Sequence, residues 1–111
     1  MSRKRRIAYG VSKAGVERMT FGLAEEVRGY NIAVNSLAPV GITDTAIARE
    51  LFPREDPETW VRPEDVAKAA RWLACQSAET FTGNVVAVAR GATTLVIYGV
   101  GTSERKFVCT D

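Results

Sequence analysis

The sequence predicts an α/β fold in which two buried, parallel strands are joined by a helical crossover. Three observations carry that prediction. Val85-Val-Ala-Val-Ala89 is an unbroken apolar run of strand length, the pattern of a strand buried on both faces. Asn31-Ile-Ala-Val-Asn-Ser-Leu-Ala38 is β-branched in part and closed by Pro39, and it reads as an earlier buried strand followed by a loop. Between them Pro63-Glu64-Asp65 opens a helix, with proline at the first helical position and acids in the first turn, where the helix dipole favours them.

Each element follows in chain order. Tyr9–Arg28 reads as a helix, because Val16, Met19, Leu23 and Val27 recur at three- and four-residue steps and form one apolar stripe. Gly29 is its expected stop. Gly10, Gly15 and Gly22 each weaken that helix by about 1 kcal/mol, which points to close packing on its small-residue face. After the strand, the loop Pro39-Val-Gly-Ile-Thr-Asp-Thr45 is rich in turn-formers and hydroxyls. A short helix is expected over Ala46–Leu51, ended by Pro53, and a flexible polar connection over Pro53–Arg62. The helix from Pro63 carries its stripe on Val66, Ala70, Leu73 and Ala74. Ser77–Gly83 is a turn region, and Thr93–Tyr98 is a further strand or an apolar tail.

Composition narrows the function classes. The chain has 111 residues, 46% hydrophobic and 25% charged, which is the size and balance of one small globular domain. Arg3, Lys4, Arg5 and Arg6 account for more than the whole net charge of +2, so the positive excess is a basic N-terminal tail. Without an aromatic platform or a second basic patch, that tail does not read as a nucleic-acid site. Histidine is absent, which removes His-based triads and ordinary zinc sites. Cys75 and Cys109 are far apart and form no metal or redox motif, so two reduced thiols in a cytoplasmic protein are expected. No apolar run reaches the roughly 18 residues of a membrane span. No apolar h-region of a signal peptide follows the basic start.

The chemistry lies in Tyr9 and Lys13. Four residues apart on a helix, they share a face one turn apart. A lysine ammonium about 4 Å from a phenol favours the phenolate by roughly 4 kcal/mol in a partly buried site and about 1 kcal/mol in bulk water. The pair therefore needs a water-excluded site to activate the phenol. Tyr-x-x-x-Lys alone is a weak pattern, but here it stands in an ordered set. Tyr9-Gly-Val-Ser-Lys-Ala-Gly-Val16 leads to Leu23-Ala-Glu-Glu26. Asn31-Ile-Ala-Val-Asn-Ser-Leu-Ala-Pro39, Arg62-Pro-Glu-Asp-Val-Ala67 and Thr82-Gly-Asn-Val-Val86 follow.

This set resembles the C-terminal half of the classical short-chain dehydrogenases/reductases, over about residues 8–91. The resemblance implies the C-terminal part of a Rossmann-like, doubly wound parallel sheet. That part holds two family strands and two main helices, with residues 1–7 as a basic tail and 92–111 as a divergent one. It implies an NAD- or NADP-dependent oxidoreductase that moves hydride between the nicotinamide and a small carbonyl or alcohol substrate. Tyr9 would be the general acid/base, and Lys13 would activate it and hold the nicotinamide ribose. The loop after Pro39 would close over the nicotinamide. The family's Pro-Gly is here Pro39-Val40-Gly41, a shifted glycine. A threonine of that loop would contact the carboxamide or the phosphates, either Thr43 or Thr45, with Thr45 favoured. Ser12 lies inside the motif and is not the family's catalytic serine.

The family's glycine-rich pyrophosphate turn has no counterpart in this sequence, and neither do its upstream serine and asparagine. The chain is therefore expected to be a fragment whose first strand keeps an unpaired edge, which favours association. Two alternatives stay open. It is an enzyme of the family, as a homo-oligomer or with a complementing N-terminal half. Otherwise it is a non-catalytic remnant or partner-pairing segment.

Overall fold

The computed structural model of the protein describes residues 6–98 and the backbone of residues 103–106. Three α-helices, α1 (Ile7–Val27), α2 (Ala46–Leu51) and α3 (Pro63–Ala74), accompany four strands, β1 (Ser36–Pro39), β2 (Val85–Val88), β3 (Thr94–Tyr98) and β4 (Ser103–Lys106). The sheet order is β1-β2-β3-β4. β1 and β2 run parallel with Ser36 opposite Val85 and Pro39 opposite Val88. β3 adds antiparallel to β2, and β4 antiparallel to β3. The α/β class and the parallel pair are as expected. The segment left open as strand or tail is a strand, so the sheet is mixed.

Side-chain alternation sorts the two faces. Leu37, Val86, Val88, Leu95 and Ile97 share one face, and α3 covers it. Val86, Val88 and Leu95 there are fully buried with Ala69 of α3, and Leu37, Val66, Trp72 and Leu73 pack around them. Phe81 completes this core with an edge-on contact to Trp72, ring centroids 5.2 Å apart. Ser36, on the opposite face, takes a hydroxyl–hydroxyl hydrogen bond from or to Thr20 of α1. Helices on both faces make the arrangement doubly wound.

Several expectations need correcting. The first strand is only Ser36–Pro39. Asn31 is left-handed (φ 54°), and Val34 and Asn35 bind the 81–84 turn instead of a strand ladder. The Val34 amide donates to Thr82 Oγ1, Gly83 N–H donates to the Val34 carbonyl, and Asn35 bridges Phe81 and Asn84. Asn31, not Gly29, is therefore the left-handed stop after the 3-10 turn that ends α1.

The stripe expected to bury α1 does not do so, since Val16, Met19 and Leu23 stay exposed. The contact runs through Thr20 and Ala24, which are small enough to bring the helix close to the sheet and the 83 turn. A Cβ on Gly83 would sit 3.6 Å from Ala24 Cβ, which is the close approach. At Gly10 and Gly15 no described atom lies within 4 Å of a would-be Cβ, so these two glycines mark no packing contact. On α3, Ala69 and Trp72 take the inward places expected of Ala70 and Ala74, a one-residue rotation of the stripe. The 53–62 connection is anchored, not loose. It holds a 3-10 turn, Pro57–Thr59, and buries Trp60 and Val61, the latter bridged to Thr43. Cys109 lies outside the described residues.

One carboxylate ties this scaffold together. Asp65 is nearly fully buried at the start of α3 and takes both guanidinium donors of Arg62, with the Arg62 amide as a third. Those hydrogen bonds from Arg62, helped by the Gly91 amide against the cost of burial, lower its pKa to about 2. Asp65 thus ties the Arg62 backbone and side chain to the first turn of α3.

Candidate active site

α1 places Tyr9 and Lys13 one turn apart near its N-terminus, and the Lys13 ammonium lies 5.4 Å from the Tyr9 ring centroid. Arg6, immediately before the helix, places its guanidinium carbon over the same ring, 4.9 Å from the centroid. The phenol is thus flanked by two cations. It is also 55% exposed, so both act largely through water.

The C-terminal end of β1 faces this part of α1, and two clefts meet there. The first, about 250 Å³, is lined by Tyr9, Lys13, Val16, Glu17 and the β1 residues Leu37 to Pro39, with Gly41 at its rim. The second, about 630 Å³, is bounded by Arg6, Tyr9, Pro39, Gly41, Ile42, Thr43, Ala48, Phe52 and Glu55. Tyr9, Pro39 and Gly41 belong to both, so the tyrosine stands on the ridge between them. Gly41 has φ 89°, a backbone that a side chain would strain, with open space where a Cβ would be. It lets the chain turn away from β1 and leaves the rim clear.

The loop residues separate. Val40 continues the ladder through its amide to the Val88 carbonyl at 2.8 Å, and its side chain is solvent-exposed. Thr43 shares the larger cleft with Tyr9. Thr45 does not. It caps α2, accepting from the Ala48 amide at 3.2 Å, and lines a separate cleft with Asp44, Arg49, Arg62 and Arg90. Asp44 accepts two hydrogen bonds from Arg49, which hold its carboxyl below the usual range. The threonine beside the tyrosine is therefore the one that the sequence disfavoured. Ser12 donates its hydroxyl to the Ala8 carbonyl within the helix.

Sequence reasoning missed Arg6, Phe52 and Glu55. Arg6 was counted with a solvated tail, although its place three residues before Tyr9 is the spacing of helical neighbours. Phe52, at the end of α2, and Glu55, in the connection after it, line the cleft together with Arg6, and no local pattern reports that.

The donor set suits the nicotinamide-ribose end of a dinucleotide. An ammonium and a phenol stand at one side of the smaller cleft and apolar β1 atoms at the other. No glycine-rich turn for the pyrophosphate occurs among the described residues.

A family model described as enoyl-(acyl carrier protein) reductase matches residues 1–93. A 3β-hydroxysteroid dehydrogenase of Eggerthella lenta is 40% identical over 97 residues, covering 77% of this chain and 36% of the relative. A 3-oxoacyl-(acyl-carrier-protein) reductase of Thermotoga maritima is 36% identical over 92 residues, 75% of this chain and 37% of the relative. An inactive 2-(S)-hydroxypropyl-CoM dehydrogenase of Xanthobacter autotrophicus is 34% identical over 101 residues, 79% of this chain and 44% of the relative. The chain spans between a third and a half of the length of these curated relatives.

Proposed function

The chain belongs to the short-chain dehydrogenase/reductase family, and on that premise we propose that its Tyr9–Lys13 pair serves NAD- or NADP-dependent oxidoreduction of a small carbonyl or alcohol substrate. The observation that carries the reading is the position of Tyr9, paired with Lys13 on the ridge between two clefts. One cleft then takes the nicotinamide end of the cofactor and the other the substrate. The bound cofactor supplies or accepts the hydride.

The chain's own residues handle the proton. In the reducing direction the Tyr9 hydroxyl donates its proton to the substrate oxygen as that oxygen gains charge, and the phenolate left behind is stabilised by the Lys13 ammonium. In the oxidising direction the same phenolate takes the proton from the alcohol. Lys13 has further donors for the ribose hydroxyls, with Tyr9 beside it. Pro39 and Gly41 bound both clefts, and Thr43 offers a hydroxyl to whatever occupies the larger one. Thr45 and Val40 have no contact role in this reading, since Thr45 caps α2 and Val40 faces solvent. A cytoplasmic location with reduced thiols fits it.

The exposure of Tyr9 favours a second reading. A proton-transfer site this open needs a cover, supplied by another copy of the chain or by a separate N-terminal half. Without that cover the chain is a non-catalytic pairing segment. Titration with NADH and NADPH, followed by calorimetry, separates the two. Binding at up to millimolar cofactor, with turnover that falls a hundredfold or more in Tyr9→Phe while binding persists, supports the enzyme. No binding at millimolar cofactor, by the chain alone, rules out a self-sufficient one.

A further inference from the structure

The larger cleft holds a charged group that the proton-transfer reading does not use. We propose that Arg6 sets the substrate class by binding a carboxylate on the substrate, so that the site takes oxo acids and the corresponding hydroxy acids. The proposal rests on the reading of Tyr9 as the group that meets the reacting oxygen.

Three observations support it. Arg6 and Tyr9 line the same cleft, with the guanidinium 4.9 Å from the ring centroid, so a group bound to Arg6 is held beside the phenol. A cation–π contact at that distance is not a hydrogen bond to a carboxylate, and the guanidinium carries five N–H donors in a planar fork. Arg28, Arg49, Arg62 and Arg90 each face a carboxylate, at 2.7–3.7 Å. No such ion pair occurs at Arg6, or at Arg18, Arg54 and Arg71, among the described residues, and of these four it is Arg6 that lines the cleft with Tyr9. A planar fork with open donors suits a carboxylate's two oxygens.

Glu55 is the acid among the residues that line this cleft, and it forms no ion pair with Arg6 within 4 Å. It disfavours an anion on its own side and so gives the cleft a polarity, with the substrate's carboxylate at Arg6 and neutral atoms toward Glu55. Lys13 is a second cation near Tyr9, but it lines the smaller cleft.

The test compares 3-oxobutanoate with its methyl ester, which keeps the carbonyl and removes the charge. Binding to the full chain is followed by NMR through the guanidinium Nε–H signals, a readout that needs no turnover. The acid is expected to bind about tenfold tighter than the ester and to shift the Arg6 signal. Arg6→Gln abolishes that preference, Arg6→Lys keeps part of it, Glu55→Gln enlarges it and Tyr9→Phe leaves it in place. The Arg6 carbonyl, which accepts the Gly10 amide at the start of α1, is unaffected by changes of the side chain. Equal binding of acid and ester, binding of neither at high millimolar concentration, or a preference that survives Arg6→Gln and disappears in Lys13→Gln overturns the proposal. A preference without any cofactor binding or turnover by the chain alone sustains carboxylate recognition at Arg6 while ruling out a self-sufficient oxidoreductase. Tyr9-dependent turnover with no preference does the reverse.

Discussion

The two faces of the sheet have been treated differently by the fold. Under α3, Val86, Val88 and Leu95 have no measurable exposure, and Ala69 closes over them. On the other side α1 touches the sheet through Thr20 and Ala24, while Ile7, Val11 and Met19 remain 59–79% exposed. Both helices carry enough apolar residues to bury a face. α3 concentrates them on one side, with polar residues opposite, whereas α1 has them all around, the pattern of a helix surrounded by other elements. The closed face is scaffold, and the open one carries Tyr9 and Lys13. The residues with chemical potential thus stand on the less enclosed half of the molecule, where charge–charge effects are weak until water is excluded.

Substitutions can break or sharpen that contrast. The largest effect is expected in the closed core. Leu95→Ala removes a fully buried side chain and should cost about 2–5 kcal/mol in urea unfolding, a large fraction of the total for a domain of this size. A loss under 1 kcal/mol would mean that β3 is not part of the core in solution.

Asp65 comes next. Its folded pKa, about 2, is depressed from the ordinary 3.8. A depressed carboxyl contributes stability that is fully present above the unfolded value and is lost as pH falls through the folded one. Unfolding free energy should therefore drop between about pH 4 and pH 2, by on the order of 1–2 kcal/mol once screening of the half-exposed Arg62 is allowed for. The drop across this window should shrink in Asp65→Asn. An unchanged acid limb in that variant would assign the stability to other carboxylates.

The smallest effect should come from the open face. Met19→Ala ought to change stability by no more than about 0.5 kcal/mol, as at other exposed positions. A loss well above that, and dependent on protein concentration, would show that another copy covers α1 in solution.

Much of this architecture was legible in the residues. The apolar run at 85–89, the proline and acids at 63–65 and the Pro39 stop announced their elements because those signals are local: side-chain shape, a missing amide, a charge beside a helix end. The Tyr9–Lys13 spacing was legible for the same reason, since a helix repeats every 3.6 residues. What the sequence by itself determined was thus the α/β class, its parallel pair and the resemblance that led to the family. Tertiary structure alone decided which face of α1 is buried, because Thr20 and Ala24 win by fitting close to the sheet and not by being the most apolar. It also decided that residues 31–35 bind a turn instead of pairing as strand, and that Thr43, not Thr45, shares a cleft with Tyr9. Arg6 joined the site by the same route. Its neighbours in that cleft, Phe52 and Glu55, lie more than forty residues away along the chain, and no local period links positions so distant.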